Sequence, residues 1–173
     1  MLLTYRLPRE PSTPRSAVWR KLRKLGVVQI SDGLVALPAG ARSREQLEWV
    51  AEEVTDAGGT AAIWIAHPTT RAHEEQLIKA MATARAAEYK ALIKAAASPS
   101  DSAVPAGALR RLRNELRAIQ RRDYFPPDER DHAEAAVQVL ADQSSHQRNP
   151  LVRGKPATIG SARPTRPTTR SMP

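Results

Sequence analysis

The sequence predicts an α+β fold, and three observations carry that prediction. Short apolar runs alternate with two amphipathic helical stretches over the first 66 residues. Asp32-Gly33 stands between two of the apolar runs as a hairpin turn. Beyond Pro68 the strand signal stops and helical periodicity continues to residue 143.

Taken in order, Leu2, Leu3, Tyr5 and Leu7 make a first strand that Pro8 ends. Thr13 before Pro14 is a helix entry, a capping hydroxyl followed by proline in the first turn. Ala17, Val18, Leu22 and Leu25 then recur at helical spacing, Trp19 lies beside that stripe, and Gly26 suits the C-terminal cap. Residues 27–30 and 34–37 are the two arms of the hairpin. Ser43 with Gln46 three residues later fits a capping box, opening a second helix with Leu47, Val50, Ala51 and Val54 inside. Gly58-Gly59 end it, and residues 60–66, with Ile63, Trp64 and Ile65, form a fourth strand. The order strand, helix, strand, strand, helix, strand is that of a ferredoxin-like βαββαβ core, four antiparallel strands with two helices on one face.

The helical part begins with a long helix over 73–97, with Leu77, Met81, Ala84 and Leu92 on one face. A Ser/Pro linker follows, and Leu109, Leu112, Leu116 and Ile119 then keep the 3-4-3 spacing of a narrow packing seam. After the break at residues 123–127 a last helix buries Ala133, Ala136, Val137 and Leu140. From Ser144 on, five Pro and six Lys/Arg with hardly any large apolar residue predict a disordered tail. The expected organisation is a ferredoxin-like core at 1–68, a helical extension at 69–143 and a basic tail at 144–173.

Composition narrows the function. With no Cys there is no disulfide, no thiolate nucleophile and no Cys-ligated zinc, which suits a reducing cytoplasm. No apolar run approaches the ~20 residues of a membrane span, so the expectation is a soluble, cytoplasmic protein without a membrane partner. The four histidines show no metal-ligand spacing, and no nucleophile elbow or phosphate loop occurs. The expectation is a protein that is not an enzyme and has no cofactor and no metal.

The formal charge of +9 is concentrated at the ends. Residues 1–26 hold seven Lys/Arg against one Glu, residues 144–173 hold six and no acid, and the middle is slightly acidic. Two positive ends suit a polyanion. Arg15, Arg20, Lys21, Arg23 and Lys24 of the first helix are the leading candidates for phosphate contact; the alternative is a solvated helix face. Arg110, Arg113 and Arg117, spaced by three and four, form a second candidate ridge. There the alternative is an antiparallel hairpin, because the next helix carries the complementary acids. Tyr5, Arg6 and Arg9 at the end of the first strand are a weak anion-binding signal.

The segments LLTYRLPREPSTPRSAVWRKLRKLGVVQISDGLVALPA (2–39), REQLEWVAEEVTDAGGTAAIW (44–64), ARAAEYKAL (84–92) and LRRLRNELRAIQRRDYFP (109–126) occur in this order. Together they resemble the N-terminal domain of the ChrB chromate-resistance regulators across residues 2–143. The resemblance implies a cytoplasmic protein of a chromate-resistance system, acting in transcriptional regulation. Members of that family continue into a domain associated with chromate sensing. Here a Pro/Arg/Thr tail follows, so the expectation is a stand-alone N-terminal domain, as a short family member, a truncated product or the regulatory half alone, with a separate chromate-sensing protein as a candidate partner. The first four elements are also similar to the ferredoxin-like domains of phenylacetate-type repressors and small CRISPR-associated nucleases. Where those nucleases use an acid this chain has Arg6-Leu7-Pro8; such domains pair, which implies a homodimer. DNA, met through its phosphates, is the expected partner. The alternative is a protein-interaction or dimerisation module, docking through the 109–119 seam and the long helix.

Overall fold

A computed structural model describes residues 1–97 and 106–148. Four strands, β1 (Leu2–Arg6), β2 (Val28–Ser31), β3 (Leu34–Ala36) and β4 (Thr60–Trp64), form one antiparallel sheet in the order β2-β3-β1-β4. Five helices accompany it: α1 (Thr13–Leu25), α2 (Ala41–Asp56), α3 (Arg71–Ala97), α4 (Ala106–Gln120) and α5 (Glu129–Arg148). The described part is therefore a mixed α/β structure.

Register decides which side chains face the helices. Leu3 lies opposite both Val35 and Ile63, so these three share a face. They pack with Val18 and Leu22 of α1 and Leu47, Val50 and Val54 of α2 in a single aliphatic cluster, to which Met81 of α3 also belongs. Thr4 lies on the opposite face, where it accepts a 3.1 Å hydrogen bond from the Trp64 indole. The hairpin turns at Gly33, whose φ of +69° is the left-handed conformation glycine tolerates best. The β2–β3 register shifts between Gln29 and Ser31, a bulge that re-aims the side chains beside it.

A second cluster holds α3, α4 and α5 together through Tyr89, Leu92, Leu109, Leu112, Ile119, Ala133, Val137 and Ala141. The seam of residues 109–119 is thus filled by the chain's own helices. It is not the free docking face that the interaction-module alternative placed there.

Several local expectations are corrected. α1 starts one turn-residue earlier than Pro14, with Ser12 at the N-cap and no side-chain cap bond. α2 starts at Ala41 with Gly40 as its cap, so Ser43 lies inside the helix, buried, and makes no capping box. The extended Gly40 backbone already supplies the carbonyl that accepts from Arg44 N–H. On α3 the buried line runs Met81, Arg85, Tyr89 and Leu92, while Ala84 is exposed. α5 continues as helix to Arg148, into the segment expected to be a disordered tail from Ser144. The rest of that tail lies outside the described residues.

The two clusters meet where α1 ends. Gly26 closes α1 with φ +80°, its N–H bonded to the carbonyls of Leu22 and Arg23. A Cβ at Gly26 would lie 2.7 Å from the Arg122 carbonyl oxygen and 2.9 Å from Arg122 Cβ. The Tyr124 hydroxyl donates to the Leu25 carbonyl at 3.3 Å across the same junction.

Candidate nucleic-acid interface

α1 is amphipathic because its apolar residues return every three or four positions, with Val18 and Leu22 buried against the sheet. That leaves Arg20, Lys21, Arg23 and Lys24 exposed. Arg23 and Lys24 lie in the last turn, where the helix dipole favours cations. Lys21 pairs with Glu53 of α2 at 2.6 Å, so part of its charge is already answered. Arg15 turns away from that face: its guanidinium donates to the Pro8 carbonyl at 3.0 Å and to that of Leu7, tying the β1–α1 connection. Arg20, Arg23 and Lys24 have no acidic partner among the described residues.

On α4, Leu109, Leu112 and Ile119 face the helical cluster, so Arg110, Arg113 and Arg117 are left on the exposed side. The hairpin alternative expected the acids of α5 to neutralise them. Instead Glu129 pairs with Lys90 of α3 at 3.0 Å, and Glu134 pairs with Arg130 of its own helix while accepting from Gln120. The hydrogen bond from Lys90 holds the Glu129 carboxyl below its ordinary value. Arg110, Arg113 and Arg117 pair with none of them among the described residues.

The two basic helices converge on a cavity of about 420 Å³ lined by Lys24, Leu25, Arg42, Gln46, Ala118, Arg121 and Arg122. Its cations come from the end of α1, the first turn of α2 and the turn that follows α4, and its lining has no acid. Arg121 extends the α4 ridge by a further turn, its N–H bonded to the Arg117 carbonyl at 3.1 Å. Behind the cavity, Glu88 is clamped by two guanidiniums, with Arg85 at 3.2 Å and Arg122 at 2.9 Å. Burial pulls the Arg85 guanidinium below its ordinary value and Glu88 opposes that shift. Beside them the Tyr89 hydroxyl donates to Asp123 at 2.9 Å, and burial together with that bond pushes the phenol above its ordinary range.

Sequence reasoning did not find Arg42, Arg121 and Arg122, although all three are plain in the sequence. Arg42 lies 79 positions from Arg121, and only the docking of the helical cluster on α1 brings them together. The Arg121-Arg122 pair at the end of the α4 ridge was the available signal. Among the described residues no group of three His, Asp or Glu is placed to hold a metal ion. No helix there is long and apolar enough to cross a membrane.

No curated protein and no solved structure matches the chain. A family model does: residues 15–100 match the one described as Protein ChrB, N-terminal. That match runs from the first turn of α1 past the end of α3 and so takes in Lys24 and Arg42. The chain belongs to the ChrB N-terminal family.

Proposed function

We propose that this chain is a DNA-associated regulatory protein, rather than an enzyme, built on a ferredoxin-like core. Its family sets it in a chromate-resistance regulatory context. The strand order β2-β3-β1-β4, with α1 and α2 packed on one face, supports the ferredoxin-like reading. The observation that carries the DNA reading is the acid-free cavity where Lys24, Arg42, Arg121 and Arg122 converge. Arg20 and Arg23 lead into it along α1, and Arg110, Arg113 and Arg117 along α4. Arg122 is held by Glu88, while the Arg42 and Arg121 guanidiniums and the Lys24 ammonium have no acidic partner among the described residues. Such groups suit phosphate oxygens, which position a protein on a duplex without reading its sequence.

The test is a gel-shift titration on the promoter of the chain's own operon. With four or five phosphate contacts, log affinity should fall against log salt with a slope of about −4. Charge reversal at Arg20 and Lys24 together should abolish retention while leaving the helical content unchanged. No binding by the unmodified chain at low salt overturns the reading.

A second reading is self-association, supported by Trp64 and Ile65, which are more than half exposed at the end of the edge strand β4. A second copy pairing along that edge would cover them. A sedimentation mass equal to one chain at high concentration removes it.

A further inference from the structure

A cavity of about 670 Å³ opens between the end of β1, the start of α1 and the β2–β3 hairpin. Its size lies within the usual range for small-ligand sites, roughly 300–1,000 Å³. It is separate from the cationic cavity at the end of α1, and no lining residue is common to the two. Two aromatic side chains, Tyr5 and Trp19, line it, and both are half-buried and seated on the aliphatic cluster, so their planes are held from behind. Arg6 and Arg9 also line it, exposed and without an acidic partner among the described residues. Gln29 and Asp32 stand on the hairpin side, and the Gln29 amide donates to the Asp32 carboxylate at a long 3.4 Å.

The frame is fixed by backbone contacts. Tyr5 N–H donates to the Gly33 carbonyl at 2.7 Å, which holds the hairpin turn against the β1 end. Any Cβ at Gly33 would run into the Tyr5 carbonyl oxygen, so the turn cannot take a side chain without moving off the strand. Arg15 ties the connection on the other side through Pro8 and Leu7. The positions of Tyr5, Asp32 and the Arg6–Arg9 segment therefore depend on one another.

We propose that this cavity binds a guanine nucleotide, with the base beside Tyr5 and Trp19, its edge on Asp32 and its phosphate on Arg6 and Arg9. Aromatic faces stack a base of any identity, and guanidinium forks match phosphate oxygens. The carboxylate makes the choice between bases. An ionised Asp only accepts hydrogen bonds, and guanine presents two adjacent donors, N1–H and N2–H, on its Watson–Crick edge. Adenine presents one donor beside an acceptor, which leaves one carboxylate oxygen facing a lone pair. The same chemistry is available from a free nucleotide or from an unpaired guanine in a strand.

Trp19 supplies the readout. In the full chain carrying Trp49→Phe and Trp64→Phe, both at exposed positions, Trp19 is the sole indole, and a stacked base should quench it. GMP should quench saturably, AMP about tenfold more weakly, as one bidentate edge contact discriminates, and ribose 5-phosphate and inorganic phosphate not at all. Asp32→Asn should bring GMP and AMP to similar affinity. Arg6→Ala with Arg9→Ala should weaken GMP about tenfold with an unchanged far-ultraviolet spectrum. Quenching by GMP assigns the site to the free nucleotide. Quenching only by a thymidine decamer with one central guanine, and not by the plain decamer, assigns it to an unpaired base. The proposal is overturned if neither quenches the folded protein, or if ribose 5-phosphate quenches as GMP does. Charge reversal at Arg20 and Lys24 should leave this quenching intact, which separates failure of the nucleotide site from failure of the DNA reading.

Discussion

In the sheet cluster every fully buried large side chain is aliphatic, with Leu3, Val18, Leu22, Val35, Leu47 and Val54 all inside. In the helical cluster the largest fully buried side chain is Tyr89, which hydrogen-bonds Asp123, and Arg85 lies four residues before it on the same buried line. The sheet cluster thus rests on shape and apolar area. The helical cluster joins it across a junction of charged and aromatic groups that must be paired to be stable there. Arg85 even so keeps two buried nitrogens, and the Asp123 carboxylate one buried oxygen, without a hydrogen-bond partner among the described residues. Interfaces of this kind hold two units in one arrangement but tolerate loss of a partner badly.

The contrast can be broken with three substitutions, from largest effect to smallest. Leu22→Ala removes a fully buried side chain at the centre of the sheet cluster. It should cost about 2–5 kcal/mol in urea denaturation, because the close-packed surroundings relax only partly. Glu88→Gln removes the charge that Arg85 and Arg122 share. Complete burial of such a pair would make the loss about 3–5 kcal/mol. Glu88 is one-third exposed, so about 2 kcal/mol is expected. Hydrogen exchange should then speed up in α3 and α4 more than in α1 and α2; equal acceleration in all four would show that the junction is no weaker than the core. Lys21→Ala breaks the Lys21–Glu53 pair, in which the lysine is more than half exposed. It should shift the midpoint by the equivalent of at most about 1 kcal/mol, and less in high salt.

The same contrast explains what could be read in advance. The alternating runs, the Asp32-Gly33 turn, the α1 and α2 stripes and the α4 seam follow from local period and turn chemistry, and the observed elements fall at those places. Ser43 was misread because a Ser-x-x-Gln spacing fits a cap wherever it occurs, whereas Gly40 and its backbone set the true start of α2. Arg85 was not seen as buried because a charged residue on a helical stripe reads as its wet edge. Its burial is supported by Glu88 from its own helix and by Asp123, 38 positions away, against the like charge of Arg122. The candidate site was legible only in halves. α1 and α4 each showed a row of cations, but the row's meeting point, with Arg42 added, is a tertiary fact with no local pattern.

Gly26 has a consequence for those two rows. Nothing larger than a hydrogen atom fits between the end of α1 and the Arg122 backbone, so bare main chain on either side sets the distance between them. Lys24 stands two residues before that contact, and Arg121 and Arg122 stand at it. The rows are therefore gauged like rails on a short tie. A flexible anion could follow either row, but only a partner whose own charges repeat at that gauge can ride on both. Gly26→Ala would widen the track before it changed a single charge.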